Sequence, residues 1–127
     1  MMLIDSNIII YAAKPEYAEL RKFIAEHAPA ISAVSYVEVL GYHKLSEPER
    51  EYFEAFFIAA TVLAISDSVL AQAVKLRQLK KMTLGDALVA GTALTHTLTL
   101  VTRNTKDFEW IEPLTLLNPF ASDESAT

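Results

Sequence analysis

Apolar positions along the chain follow two alternating rhythms. Short apolar runs recur at Met2-Leu3-Ile4, Ala30 to Val34, Thr61 to Ile65, Leu98 to Thr102 and Leu114 to Leu117, each of a length and composition that suits a strand buried on both faces. Between them the spacing is helical. A short helix follows the first strand. Pro15 suits a first helical turn, Tyr17, Leu20, Phe23 and Ile24 then share one face, and Pro29 ends the segment. Ser35 opens a helix that reaches about His43, and Ser46-Glu47-Pro48-Glu49 opens another that carries Tyr52, Phe53, Phe56 and Phe57, an aromatic run expected in the core rather than at a partner surface. Ser66-Asp67 starts a helix to about Lys80, and Thr83 or Gly85 starts one that runs through Asp86 to His96. Strands alternating with helices predict an α/β fold: one three-layer domain, a mostly parallel central sheet flanked by helices, over residues 1–119. Residues 120–127 form the remainder, polar from Ser122 to Thr127 and expected to be disordered. Ligands of such folds sit beyond the carboxyl ends of the strands.

The first interruption of the pattern carries the first chemical signal. Asp5-Ser6-Asn7 separates Met2-Leu3-Ile4 from Ile8-Ile9-Ile10-Tyr11, and a carboxylate between two apolar runs is costly to bury unless something pairs with it. Asp5 or Asn7 as a helix N-cap is the plain alternative. Three further acids are bracketed by apolar sequence: Glu38, Asp86 and Asp107, the last preceded by Asn104. They differ in this from Glu47, Glu49, Glu51 and Glu54 on an evidently solvated helix face. Ser35 to Glu38 and Thr83 to Asp86 have the spacing of a capping box, but so does Ser46 to Glu49, where no chemistry is inferred. Spacing alone therefore decides nothing. Taken together the acids are harder to explain as caps. Two carboxylates ~4 Å apart repel by about 4 kcal/mol at an effective dielectric near 20, so a gathered set needs a captured proton or a cation. Oxygen-only ligation selects Mg²⁺ or Mn²⁺ over zinc, and such ions polarise a phosphate and lower the pKa of an attacking water.

Composition narrows the field. At 127 residues, 52% hydrophobic and a mean hydropathy of +0.25, the chain has ample material for one core. It contains no cysteine, so disulfides and thiolate metal sites are excluded, and His27, His43 and His96 follow no ligand spacing. No apolar run reaches membrane-spanning length and the N-terminus lacks the basic flank of a signal peptide, which gives a cytoplasmic expectation with no membrane partner. The net charge of -5 argues against a generic electrostatic nucleic-acid binder. Local basic residues remain: Lys75, Arg77, Lys80 and Lys81 precede Asp86, and Arg103 and Lys106 flank the fourth acidic position. They are either a solvated face or contacts to a phosphate backbone. Gly41, Gly85 and Gly91 form no phosphate cradle, and neither a Walker loop nor a G-x-S-x-G is present.

Leu3-Ile4-Asp5-Ser6-Asn7, Ser35-Tyr36-Val37-Glu38, Gly85-Asp86-Ala87-Leu88-Val89-Ala90 and Leu100-Val101-Thr102-Arg103-Asn104-Thr105-Lys106-Asp107-Phe108 resemble, in order and spacing, the four motifs of PIN-domain ribonucleases. The length is similar to that of VapC-type toxins of toxin–antitoxin pairs. The resemblance implies a Mg²⁺- or Mn²⁺-dependent endoribonuclease that cuts single-stranded or looped RNA, forms a homodimer and is inhibited by a cognate antitoxin. It makes Asp5, Glu38 and Asp86 the metal-binding acids, with Ser6, Asn7 and Thr102 in support. The position after Thr102-Arg103 is often Asp among relatives and is Asn104 here, so the fourth catalytic position lies between Asp107 and Asn104. The alternative is a non-catalytic RNA-binding or scaffold module of the same fold. A phosphatase of the haloacid dehalogenase type ranks lower, because it wants an Asp where Asn7 stands, and so does a receiver domain, because Asp5 has no acidic neighbour.

Overall fold

The computed structural model describes residues 1–120, and the expected tail from Ser122 lies outside the described residues. Five strands form one parallel sheet: β1 (Met2–Ile4), β2 (Ala30–Ser32), β3 (Thr61–Leu63), β4 (Thr99–Val101) and β5 (Leu116–Leu117), in the order β3-β2-β1-β4-β5. Among the described residues the helices are α1 (Ser6–Ala12), α2 (Ala18–His27), α3 (Ala33–Leu40), α4 (Glu47–Ala59), α5 (Asp67–Leu79) and α6 (Leu84–His96). Short 3₁₀ turns at Pro15–Tyr17 and Thr105–Asp107 complete the pattern.

The pleat explains why the strand sequences are apolar throughout. Ile4, Ile31 and Val101 enter one core with Ile8, Ile9, Leu20, Val39, Phe53 and Phe57. Their strand neighbours Leu3, Ala30 and Leu100 enter a second core with Leu76, Val89, Ala90 and Phe108. Alternate side chains thus fill opposite layers, and a sheet covered on both faces has no polar side. Phe53 and Phe57 are buried and Phe56 packs on them, so the aromatic run is mainly core, with Tyr52 38% exposed. Phe120 is also buried and meets the rings of Tyr11 and Tyr17 edge-on.

Several boundaries differ from the expectation: β4 and β5 are shorter than the apolar runs that contain them, and α3 ends at Leu40 rather than near His43. β2 stops at Ser32 and α3 begins at Ala33, because the Ser32 hydroxyl accepts the Val34 N–H at 3.2 Å and caps the helix. The β3 strand is likewise shorter than the apolar run that contains it. α6 lies against α5 closely enough that a Cβ on Gly91 would stand 2.9 Å from the Val69 carbonyl oxygen. β2 and β3 lie on one side of β1 and β4 on the other, so the chain changes direction between β1 and β4. In parallel α/β sheets that switch point opens a crevice beyond the strand ends.

Candidate active site

Asp5 follows β1 at this crevice and is only 8% exposed. Its Oδ1 accepts the Ile8 N–H at 3.0 Å and its Oδ2 accepts the Thr102 hydroxyl at 2.6 Å. Burial pushes its carboxyl above the usual range; the bonds from Thr102 and the backbone N–H groups of Ile8 and Asn7 pull it back, and the Glu38 charge adds to the rise. The helix cap and the buried site acid are thus one residue. Asn7 contributes its backbone N–H there, while its side chain is exposed.

Glu38 reaches the crevice from α3. Since Ser32 is the cap, the Ser35–Glu38 capping box does not form; Ser35 sits inside the helix, fully buried. The Ser6 hydroxyl donates to Glu38 Oε1 at 2.7 Å, and its oxygen stands 2.9 Å from Ser35 Oγ. With one proton per hydroxyl, Ser35 completes the chain by donating to Ser6. On its other side Glu38 faces the start of α6: a Cβ on Gly85 would fall 2.5 Å from Glu38 Oε2. Glycine at this position leaves the space the carboxylate occupies.

Asp86 lies in the first turn of α6, which Thr83 caps by accepting the Asp86 N–H at 3.1 Å. Burial pushes the Asp86 carboxyl up, a hydrogen bond with the Thr83 side chain lowers it, and the charges of Asp107, Asp5 and Glu38 raise it further. Asp5, Glu38 and Asp107 thus all act on Asp86, although the four acids come from four separate segments. Ser46 and Glu49, by contrast, form a reciprocal capping box on an exposed helix end, and its bonds lower the Glu49 carboxyl.

Thr102 joins the two sides of the crevice. Its hydroxyl donates to Asp5 and accepts the Asn104 N–H at 3.1 Å. Asn104 Nδ2 in turn donates to Asp107 Oδ2. Asn104 and Asp107, the two candidates for the fourth position, are thus consecutive members of one network. The donor set consists of carboxylate, hydroxyl and amide oxygens, which suits a hard divalent ion. Among the described residues no group of three acidic or histidine side chains stands in ligating positions, so an ion would have to draw in Glu38, whose side chain is exposed, and the half-buried Asp86.

A cleft of about 460 Å³ opens beside Asp86 and Asp107, lined by Arg77, Lys80, Lys81, Lys106, Thr83 and Trp110. Four of the six basic candidates meet there. Lys75 is exposed on α5 and does not line the cleft. Arg103 turns elsewhere, with its guanidinium carbon 4.6 Å from the Phe120 ring centroid and 5.4 Å from that of Tyr11. Sequence reasoning passed over Ser35 and Gly85 as structural parts of the site although both stand in the motifs, and passed over Trp110, whose one signal was the presence of a lone tryptophan next to the last motif.

The parallel α/β sheet, the acids at its switch point and the cationic cleft beside them define the class of fold and site against which known proteins can be compared. A PIN domain family model matches residues 2–111, and the chain belongs to the PIN-domain family, whose members are generally nucleases. Among solved structures it is similar to a chain of a toxin–antitoxin complex from Klebsiella pneumoniae, with 29% identity, a TM-score of 0.75, and 94% of this chain and 98% of that one covered. It is also similar to a chain of VapBC2 from Rickettsia felis bound to a DNA fragment from its promoter, at 23% identity and TM-score 0.81 over 92% and 97% of the two chains. For VapBC from Salmonella typhimurium bound to DNA the values are 21%, 0.81, 92% and 98%. The fold is that of the VapC type. No curated protein matches the chain in sequence. No helix among the described residues is long and apolar enough to cross a membrane.

Proposed function

We propose that this protein is a Mg²⁺- or Mn²⁺-dependent endoribonuclease and the toxin half of a cytoplasmic toxin–antitoxin pair. The observation that carries the reading is the meeting of separate segments at one crevice, where Thr102 bonds to Asp5, Ser6 bonds to Glu38 and Glu38 abuts Gly85 next to Asp86, with a cleft lined by Arg77, Lys80, Lys81 and Lys106 beside Asp86 and Asp107. Asp5, Glu38 and Asp86 would hold the ion. Once bound, it would polarise the scissile phosphate, activate water and offset the charge of the leaving oxygen. Thr102 keeps Asp5 oriented, Ser6 and Ser35 keep Glu38 oriented, and Asn104 does the same for Asp107. The cleft cations hold the strand through its phosphates, which lets a chain of net charge -5 bind RNA locally.

The antitoxin and a second copy are the proposed protein partners. Support comes from the toxin–antitoxin complexes to which the fold is similar, and from an apolar surface on which Tyr36, Ile58 and Val62 border a groove of about 420 Å³.

The test is cleavage of single-stranded RNA by the full chain, freed of any partner, with Mg²⁺ or Mn²⁺ and with EDTA. Cleavage in either metal and none in EDTA is expected, and Asp5→Asn or Asp86→Asn should slow it on the order of 100-fold. An Asp5→Asn variant as fast as its parent would overturn the assignment. RNA bound in EDTA but never cut with metal would make the protein a binding module.

A further inference from the structure

Trp110 is the only tryptophan of the chain and lies just beyond the last family motif. Its indole N–H donates to the Asp107 carbonyl at 2.9 Å, and part of the ring packs against the core that holds Phe108 and Ile111. These two attachments fix the plane of the ring. The rest of the indole lines the cationic cleft, where the Lys80 ammonium stands 5.5 Å from the ring centroid. The ring thus lines the cleft with the end of the exposed Lys80 side chain over its face.

Different ligands would use this cleft differently. A phosphate ion needs the cations and leaves the ring idle. A duplex offers phosphates, but its bases are already stacked on both faces. A nucleotide in a single strand brings an anion and an unstacked π face together, and stacking on an aromatic side chain with a cation on the adjoining phosphate is how such strands are held.

On the nuclease reading, we propose that Trp110 is the stacking platform for one base of a single-stranded RNA, next to a phosphate held by the cleft cations. Lys80 leaves the ring as the base arrives and moves to the neighbouring phosphate. The platform selects for unpaired RNA, because only an unstacked base can lie on the indole.

Because the tryptophan is unique, its own emission reports the event. The full chain is titrated in EDTA with a short single-stranded oligoribonucleotide, binding being followed separately by anisotropy of a labelled copy. Emission should be quenched in step with binding, whereas inorganic tripolyphosphate and an RNA duplex should leave it unquenched. Trp110→Leu should bind the single strand about tenfold more weakly or worse, whereas Trp110→Phe keeps most of the affinity. The Leu variant should raise KM for cleavage with little change in kcat. Unchanged emission at RNA saturation, equal quenching by tripolyphosphate, no binding at all, or a Leu variant that binds as tightly as its parent would each overturn the platform. The quench is read on the unaltered chain, so a variant that folds poorly does not decide the matter. A parent that binds and quenches in EDTA but cuts nothing with metal would remove the nuclease reading and leave the platform standing. Cleavage without quenching would do the reverse.

Discussion

Gly85 carries a stricter demand than its place in a helix suggests. Glycine there costs up to ~1 kcal/mol of helix propensity relative to alanine, yet a methyl group would stand where Glu38 Oε2 now lies. Because that oxygen ends a flexible, exposed side chain, the fold can absorb the substitution by moving the carboxylate. Gly85→Ala is therefore expected to leave the melting temperature unchanged or raised by a few degrees while cleavage falls about tenfold. Thermal melting and an RNA cleavage rate, measured on the same preparation, check both halves; a variant as active as its parent would mean that the position of Glu38 is unimportant. The motif around Gly85 and Asp86 was legible in the sequence. The reason for the glycine was not, since it depends on a side chain from another helix. Asp5 gives the same lesson: along the chain capping and a place in the crevice read as rival explanations, yet one oxygen caps α1 and the other meets Thr102.

At the scale of elements, α6 shows how a helix end can tolerate the wrong residue. Thr97 follows its last turn with φ 53°, in the left-handed region, and the Leu98 N–H returns to the Ala93 carbonyl at 2.9 Å. That is a Schellman closure, which favours glycine at the left-handed position. A β-branched residue there is strained by roughly 1–2 kcal/mol, and a glycine's extra freedom in the unfolded chain offsets part of the gain. Thr97→Gly should stabilise the protein by about 1 kcal/mol, seen as a melting temperature roughly 3 °C higher; an unchanged or lower value would show that the strain is absent. The α3 start is one boundary that local pattern misjudged. Ser32 and Ser35 are equally good caps by residue type, and pairing of Ser32 with Leu63 in the sheet goes with the earlier one. The same choice places Ser35 and Glu38 one helical turn apart on the face toward Ser6.

For the whole molecule, burying interacting acids has a thermodynamic consequence. The folded state binds the protons of Asp5 and Asp86 more tightly than the unfolded chain does, because both carboxyls are raised above their usual range, chiefly by burial. Between the usual Asp range and the raised value the native state therefore carries more protons, and these two groups make stability fall as pH rises through that window. Their ionised forms oppose folding at neutral pH when no cation is present. Asp5→Asn, which retains a capping side chain, should melt above the metal-free parent at neutral pH, and the gap should close as pH falls through the window. Mg²⁺ or Mn²⁺ should raise the parent's melting temperature at neutral pH and move the variant less. Melting curves of both proteins, with and without metal across pH, test this. A parent indifferent to both metals, with a gap that persists in acid, would show that the acids do not act as a charge cluster.

Alternating apolar runs and helical faces determined the order of the elements and the parallel three-layer class, because strand burial and helix amphipathicity are written in local spacing. The same pattern singled out Asp5, Glu38 and Asp86 as candidates. Only the tertiary structure decided which residues share a site: that Thr102 bonds to Asp5, that Gly85 makes room for Glu38, that Arg103 lies on an aromatic ring, and that Trp110 faces the cleft. Hydrogen bonds and van der Waals exclusion act over a few ångströms between groups far apart in the chain, and spacing along a sequence does not record those distances.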